Sequence, residues 1–334
     1  MKTVMVTAVG APPGLTTAKI LSKEYRVIAV DADRYACGLY VSGVVPYLVP
    51  VASGDGYIDR LVEICVQEKV DVLVSCYETE TLVISAQRQR FAEVGVQILL
   101  ADHDILLKCI DKYETAKQAE RAGVPCPKTL LVSDTESIEA AGISFPAVLK
   151  PVVGSGGVGV SYPENMEEAM ESYRQLNRKS ILQELIPGGA GSVYLVACLY
   201  DRQSKLKASF VSRSLKTLNK EGGPAVVGEA IEDDNLKKLG IQLIESLGNF
   251  VGMAAIEFKI DSRDGLPKLL EINPRLWGYS RLAYASGINF HKMVVQLAMG
   301  EDVEEQHQYK TDTLMVRHYD DRVFVRESLP ENLQ

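Results

Sequence analysis

Apolar and polar positions along the first hundred residues switch repeatedly between a period of two and a helical period. Val4 to Val9 is an apolar strand pattern, and the turn Gly10-Ala11-Pro12-Pro13-Gly14 leads from it into a helical pattern near 15–23. Tyr25 to Val30 predicts the next strand, ending at Asp31. A helix near 56–68, a strand from Val70 to Ser75, a helix near 79–93 and a strand from Val96 to Leu100 follow. Such alternation implies a parallel sheet with right-handed crossovers. Ligands in such sheets bind beyond the carboxyl ends of the strands. That rule gathers the 10–14 turn, Asp31 and the segment Cys76 to Glu80 around one cleft. Glu78 and Glu80 are either solvated loop acids or substrate contacts.

The pattern then changes. Residues 104–124 predict a helix carrying Asp111 and Lys112, stopped by Gly123-Val124-Pro125-Cys126-Pro127. A strand at 128–132, a helix at 134–141, an apolar strand ending in Lys150-Pro151, a helix at 164–176 and a strand from Ser180 to Glu184 make an α+β unit. From about 190 onward come several long strands, a helix near 234–250 and a helix near 287–299. Leu314 to Val325 predicts a final hairpin, from which Arg317 and His318 can reach a substrate. The fold class is therefore α/β and α+β, with a parallel-sheet domain at the N-terminus.

The densest chemistry lies in the pair of short strands Ala254 to Ile260 and Lys268 to Asn273, joined by a segment rich in turn formers. A period of two puts Glu257 on one face and Glu271 and Asn273 on the matching face of the partner strand. Two carboxylates and an amide oxygen are hard ligands suited to Mg²⁺ held between protein and phosphates. Arg275, just beyond, suits bidentate contact with a phosphate or carboxylate. An ordinary hairpin with a solvated polar face accounts for one such acid but poorly for the whole set.

Lys150 stands directly before Val152 to Val160, a loop holding Gly154, Gly156, Gly157 and Gly159. Glycines let backbone N–H groups approach phosphate, and a neighbouring lysine adds a point charge. The loop is not a Walker loop, since Gly-Lys-Ser/Thr is missing, and a flexible turn with an exposed lysine is the plain alternative. The 10–14 turn lacks the full GxGxxG spacing, which argues against a nicotinamide dinucleotide. The strand Gln183-Glu184-Leu185-Ile186 can offer its backbone to the edge of a nucleotide base.

Composition removes other classes. With 36 Lys and Arg against 44 Asp and Glu, the net charge of −8 leaves no basic excess for general nucleic-acid binding. Six scattered cysteines form no CxxC pair, which argues against a zinc ribbon and for reduced thiols in the cytoplasm. No signal-peptide pattern and no apolar run of transmembrane length is present, so no membrane role is expected.

Taken in order, Lys112, Lys150 with its Gly-rich loop, Gln183-Glu184-x-Ile186 and Glu257…Glu271-x-Asn273-x-Arg275 resemble the ATP-grasp superfamily. The chain is similar in particular to short, single-unit relatives of the carbamoyl-phosphate synthase large subunit, and the resemblance spans essentially its whole length. It implies a pre-ATP-grasp domain at 1–107, a small lobe with a Gly-rich lid at 108–189 and a large lobe with the metal site at 190–334. It also implies roles. Lys112 and Lys150 contact ATP phosphates under a lid that includes Gly154, Ser155, Gly156, Gly157 and Val158. Gln183, Glu184, Leu185 and Ile186 line the adenine. Glu257, Glu271 and Asn273 hold Mg²⁺ or Mn²⁺. Arg275 stabilises the transferring phosphoryl group, with Lys216 or Arg213 adding charge, and Gly222-Gly223-Pro224 looks like the substrate loop. Trp277 and Tyr279 either shape the acceptor pocket or fill core.

One feature departs from the pattern. Family members commonly carry an acid for the ribose hydroxyls shortly after the adenine strand, whereas this chain reads Gly188-Gly189-Ala190-Gly191-Ser192. Ser192 takes that place, or the ribose is held less tightly.

The activity implied is ATP-dependent joining of a small carboxylate, activated as an acyl-phosphate, to an amine, with amino-acid-like substrates. The alternatives are phosphorylation of bicarbonate or carbamate with a partner, and a nucleotide-binding protein without catalysis. A biotin-dependent carboxylase is disfavoured because no carrier domain is present. A homodimer through the N-terminal sheet is expected.

Overall fold

In the computed structural model the N-terminal alternation folds as a four-stranded parallel sheet. It comprises β1 (Thr3–Val6), β2 (Arg26–Asp31), β3 (Val44–Leu48) and β4 (Val72–Val74), in the order β3-β2-β1-β4. The structure describes all residues except 140–141, 155, 220–221, 319–320, 324, 326–332 and 334, and the side chains of 190, 219 and 222. Because successive strand residues face opposite ways, Met5, Ile28 and Val30 pack on one side. They meet α2 (Tyr57–Glu68), α3 (Glu78–Ala86) and α4 (Arg88–Glu93). Val4, Val6, Val27 and Ala29 face α1 (Pro12–Leu21) and join a core shared with the C-terminal half.

A six-stranded antiparallel sheet dominates that half. Its strands are β8 (Val193–Tyr200), β9 (Leu206–Asn219), β10 (Gly222–Ile231), β11 (Gly252–Ile260), β12 (Pro267–Asn273) and β13 (Leu314–Val316), ordered β12-β11-β8-β9-β10-β13. One face buries Leu195, Ala197, Phe210 and Ala255 against α10 (Arg281–Ser286), α11 (Phe290–Ala298) and the N-terminal sheet. The other buries Val196, Cys198, Val211 and Ile256 against α5 (His103–Ile110), α6 (Lys112–Ala122) and α9 (Asp234–Glu245). Between the two halves in sequence lies a three-stranded antiparallel sheet, β5 (Thr129–Val132), β6 (Ala147–Pro151) and β7 (Ser180–Glu184), ordered β5-β7-β6. Its Leu149 and Leu182 face α7 (Thr135–Glu139) and α8 (Met166–Leu176). The opposite face turns Val148, Lys150 and Gln183 toward the large sheet.

Several expectations are corrected. The helix anticipated at 104–124 is two helices, because the Asp111 side chain accepts from the N–H groups of Tyr113 and Glu114 and so starts α6. Lys112 thereby becomes the first residue of a helix. The helix at 79–93 likewise divides at Gln87. Val96 to Leu100 contributes a single parallel bridge, Val72 to Gln97, rather than a strand. Strand β3 was not anticipated, since Pro46 weakens its pattern; proline is tolerated there because β3 is an edge strand. Of the expected C-terminal hairpin, Leu314–Val316 forms β13 and pairs with β10, while 319–320 and 324 lie outside the described residues. The expected division at 107/108 falls inside α5, and that at 189/190 lies between β7 and β8.

All six cysteines are unpaired. Burial pushes the thiols of Cys65, Cys76, Cys109 and Cys198 up to about 12, so these four act as core residues. No helix among the described residues is long and apolar enough to cross a membrane.

Candidate active site

A cleft of about 400 Å³ opens between the small sheet, the large sheet and the carboxyl edge of the N-terminal sheet. Its floor is the β11–β12 hairpin. Glu257 and Glu271 are direct cross-strand partners, Ala255 faces Asn273, and Glu257, Glu271 and Asn273 all turn into the cleft. The Asn273 amide donates to Glu271 Oε1 at 3.0 Å, and its oxygen accepts from Arg275 at 3.0 Å.

Two carboxylates this close and this buried cannot both ionise cheaply. Burial and then the Glu271 charge raise the Glu257 carboxyl above its ordinary range, against the pull of Arg275 and Lys112. For Glu271, burial works upward too, but Lys112, the Asn273 amide, Lys150 and Arg275 together hold it low. Lys112 Nζ lies 3.6 Å from Glu271 and donates to the Gly154 carbonyl at 2.7 Å, tying the helix start to the glycine loop. Burial, with the Lys112 charge adding, lowers the Lys150 ammonium to about 8, opposed by Glu271 and Glu257. Among the described residues no three His, Cys, Asp or Glu side chains are grouped to hold a metal on their own. The site offers two carboxylates and an amide oxygen, a set that leaves coordination positions for phosphate oxygens.

The glycine loop forms the cleft's roof. Gly154, Gly156, Gly157 and Val158 line it, and Val158 is exposed. Ser155 lies outside the described residues. Gly159 has φ +76°, and a Cβ there would fall 2.9 Å from Leu176, so only glycine fits this bend. Leu185 and Ile186 line the far end. Gln183 also faces the cleft but donates to Thr129 Oγ1 at 2.7 Å. The Glu184 carboxylate is committed elsewhere, to Arg263 at 2.5 Å and to the Lys128 N–H at 3.3 Å. At this edge the Gln183 and Glu184 side chains are thus engaged within the protein.

Other expected residues are not brought in. The Ser192 hydroxyl donates to the Gly189 carbonyl at 2.6 Å, and Ser192 does not line the cleft. Lys216 is exposed on β9 and also lies outside the lining, whereas Ser214, two residues earlier, and Thr217, the next residue, point in. Arg213 donates to the Gly191 carbonyl and pairs with Glu229. Asp31 is spent on the 10–14 turn, accepting from the Gly10 N–H at 2.7 Å. Glu80 is buried and accepts from the Thr7 hydroxyl; burial lifts its carboxyl to about 7. His318 does not line the cleft, whereas Arg317 does and donates to the Gly278 carbonyl. We expect Ser192→Ala and Lys216→Ala to change ATP affinity less than about twofold, read by titration calorimetry, because surface substitutions without a buried partner usually cost little.

Glu78 is neither solvated nor in the lining. At the start of α3 it forms an ion pair with Arg275, accepting from Nε at 2.9 Å and again from the guanidinium end. Both partners are almost fully buried. The N-terminal domain thus reaches across to hold the arginine of the Glu-x-Asn-x-Arg run. Pro12, Pro13, Tyr77, Trp277 and Tyr279 wall this end of the cleft with apolar surface.

Residues 109–279, half of the chain, match the family model described as ATP-grasp domain. The chain belongs to the ATP-grasp family. Residues 5–99 match the model described as PylC-like, N-terminal domain. The carbamoyl phosphate synthase large chain of Thermotoga sp. (strain RQ2) is 24% identical over 282 residues, covering 78% of this chain and 25% of that one. This chain thus spans about a quarter of such relatives. In fold it is similar to a biotin carboxylase–β,γ-ATP complex from Campylobacter jejuni (TM-score 0.76, 16% identity, 94% of this chain and 74% of that one). It is also similar to an L-amino acid ligase from Bacillus licheniformis (TM-score 0.69, 17% identity, 91% and 75%).

Proposed function

We propose that this protein is an ADP-forming ATP-grasp ligase that joins a small carboxylate to an amine, with amino-acid-like substrates. The observation that carries the reading is the cross-strand Glu257–Glu271 pair beside Lys112, Lys150 and Arg275 under a glycine loop. The raised Glu257 carboxyl marks a place where a cation would relieve repulsion, and the oxygen-only donor set fits Mg²⁺ or Mn²⁺. Glu257, Glu271 and Asn273 would hold it, and it would neutralise charge on the nucleotide phosphates.

Lys112 and Lys150 bind and orient the triphosphate, and the 154–160 loop excludes water. Leu185, Ile186 and the backbone beside them hold the base. Arg275, fixed by Glu78, stabilises charge at the transferring phosphoryl group. A substrate carboxylate oxygen bonds to the γ-phosphorus and the bond to ADP breaks. The amine then bonds to the acyl carbon, inorganic phosphate leaves, and a proton is released. Neither step needs a protein nucleophile. Arg317 among Pro12, Pro13, Tyr77 and Trp277 supports an amino-acid-like substrate, with its carboxylate at the arginine and its side chain on the apolar wall. A homodimer in the cytoplasm, organised as 1–107, 108–189 and 190–334, completes the proposal.

The test is ADP and phosphate release with Mg-ATP against a panel of amino acids, dipeptides and small acids, singly and in pairs. ADP release that requires both a carboxylate and an amine is the expected result. Release stimulated by bicarbonate alone would move the reading to carbamoyl-phosphate-synthase-like chemistry. Tight Mg-ATP binding with no turnover for any pair would leave a non-catalytic nucleotide binder.

A further inference from the structure

Lys259 lies two residues beyond Glu257 on β11 and lines the same cleft. It is half-buried, and among the described residues no hydrogen bond or ion pair neutralises it; the opposing charge that acts on it is Asp261. Asp261 is itself bonded to Arg263 at 2.9 Å. Two strand residues span about 6.5 Å, so Lys259 sits that far from the metal-ligating end. Its neighbours show the direction. Lys259 faces Val193 across the β11–β8 ladder, and the Ser262 N–H donates to the Pro187 carbonyl at 3.2 Å. The end of β11 therefore runs beside the 184–188 segment, where the base edge is offered.

At that end Glu184 is occupied by Arg263, Gln183 by Thr129 and Ser192 by the Gly189 carbonyl, while the Ser214 hydroxyl, one strand beyond Val193, has no partner among the described residues. Between the phosphate floor and the base edge a bound nucleotide presents its ribose.

We propose that Lys259 is the ribose contact of this site, donating from its ammonium group to a ribose hydroxyl oxygen in the place where the chain carries no acid. The inference rests on the reading of the cleft as a nucleotide site. It assigns to a cation the recognition that an acidic acceptor would otherwise make, which is chemically sound because a hydroxyl accepts as readily as it donates. A half-buried ammonium with no partner among the described residues gains one when the ligand is bound.

The experiment is binding of Mg-ATP, 2′-deoxy-ATP and 3′-deoxy-ATP by titration calorimetry to the wild-type chain and to Lys259→Met, which keeps the apolar stem. Unfolding temperature serves as the folding control. We expect the wild type to bind one deoxy analogue about tenfold more weakly than ATP, the scale of one hydrogen bond to a charged group. Lys259→Met should bind ATP about as weakly as that, with no further loss for the analogue. Equal losses for all three nucleotides in Lys259→Met, or no loss at all, would overturn the assignment. Failure of the wild type to bind Mg-ATP would instead reject the nucleotide reading itself, so the two failures are distinguishable.

Discussion

Replacing Glu271 with glutamine is expected to lower ADP release roughly a thousandfold, since losing the carboxylate proposed to hold the cation forfeits several kcal/mol of charge stabilisation. Shape is preserved, because the glutamine oxygen can still accept from the Asn273 amide. What is lost is the charge that Lys112 and Lys150 share. A second readout separates this from general damage.

Glu257 is held protonated above its ordinary range in the fold, first by burial and then by Glu271. A carboxyl raised in the folded state binds more protons there than in the unfolded chain. Metal-free wild-type protein should therefore lose stability as pH rises from the ordinary carboxyl value of about 4.5 toward neutrality. Glu80, raised to about 7 by burial, adds a slope of the same sign, but it is common to both proteins. In Glu271→Gln the repulsion on Glu257 is gone, so its share of the decline shrinks. Unfolding temperature measured from pH 5 to 8, with and without Mg²⁺, checks this. Stabilisation by Mg²⁺ should grow with pH in the wild type and be largely absent from the variant. An identical pH slope in both proteins would mean that the two carboxyls do not interact.

How much of this was legible beforehand follows from what kind of signal each residue leaves. The Glu257–Glu271 pairing is a local fact, set by a two-residue period and a short turn, and it was readable. So was Lys150, fixed by an apolar strand running into glycines. Lys259 obeys the same alternation as Glu257 and could have been found by counting two further. Lys216 failed for the complementary reason: β9 and β10 are out of simple register between residues 217 and 214, so counting along β9 does not say which side chains face in. A bulge writes no clear mark in one strand's pattern.

The segment 183–186 lines the cleft, but the Glu184 carboxylate turns to Arg263, which is 79 residues away. The split at Asp111 rests on a capping acid inside a long helical pattern, and the continuity of that pattern conceals it. Glu78 was recognised as an acid at the end of a parallel strand. That it would meet Arg275, 197 residues on, depends on how the N-terminal sheet docks through Trp277 and α11, which no local period reports.

That distant pair carries the second large effect. Glu78→Ala leaves the Arg275 guanidinium buried beside Asn273 without its anion, and removing one partner of a buried ion pair typically costs about 3–5 kcal/mol. Arg275→Met should cost a similar amount, because it strands Glu78, whose second carboxylate oxygen already has no hydrogen-bond partner. The double variant Glu78→Leu/Arg275→Met should be clearly less destabilised than the sum of the two single losses, since neither charge is then orphaned. Denaturant unfolding of all the variants measures this coupling directly, and simple additivity would show that the pair is not an energetic unit. Catalysis gives an independent readout. Glu78→Gln keeps an acceptor for Arg275 but removes the charge that fixes its position. A displacement of about 1 Å at a positioned group can cost about a hundredfold in rate. We expect that loss in kcat with little change in the KM for ATP, because Glu78 touches neither the glycine loop nor the base edge. A rise in KM for ATP with kcat intact would instead place Arg275 in ground-state nucleotide binding, and the link between the two domains would then serve binding rather than phosphoryl transfer.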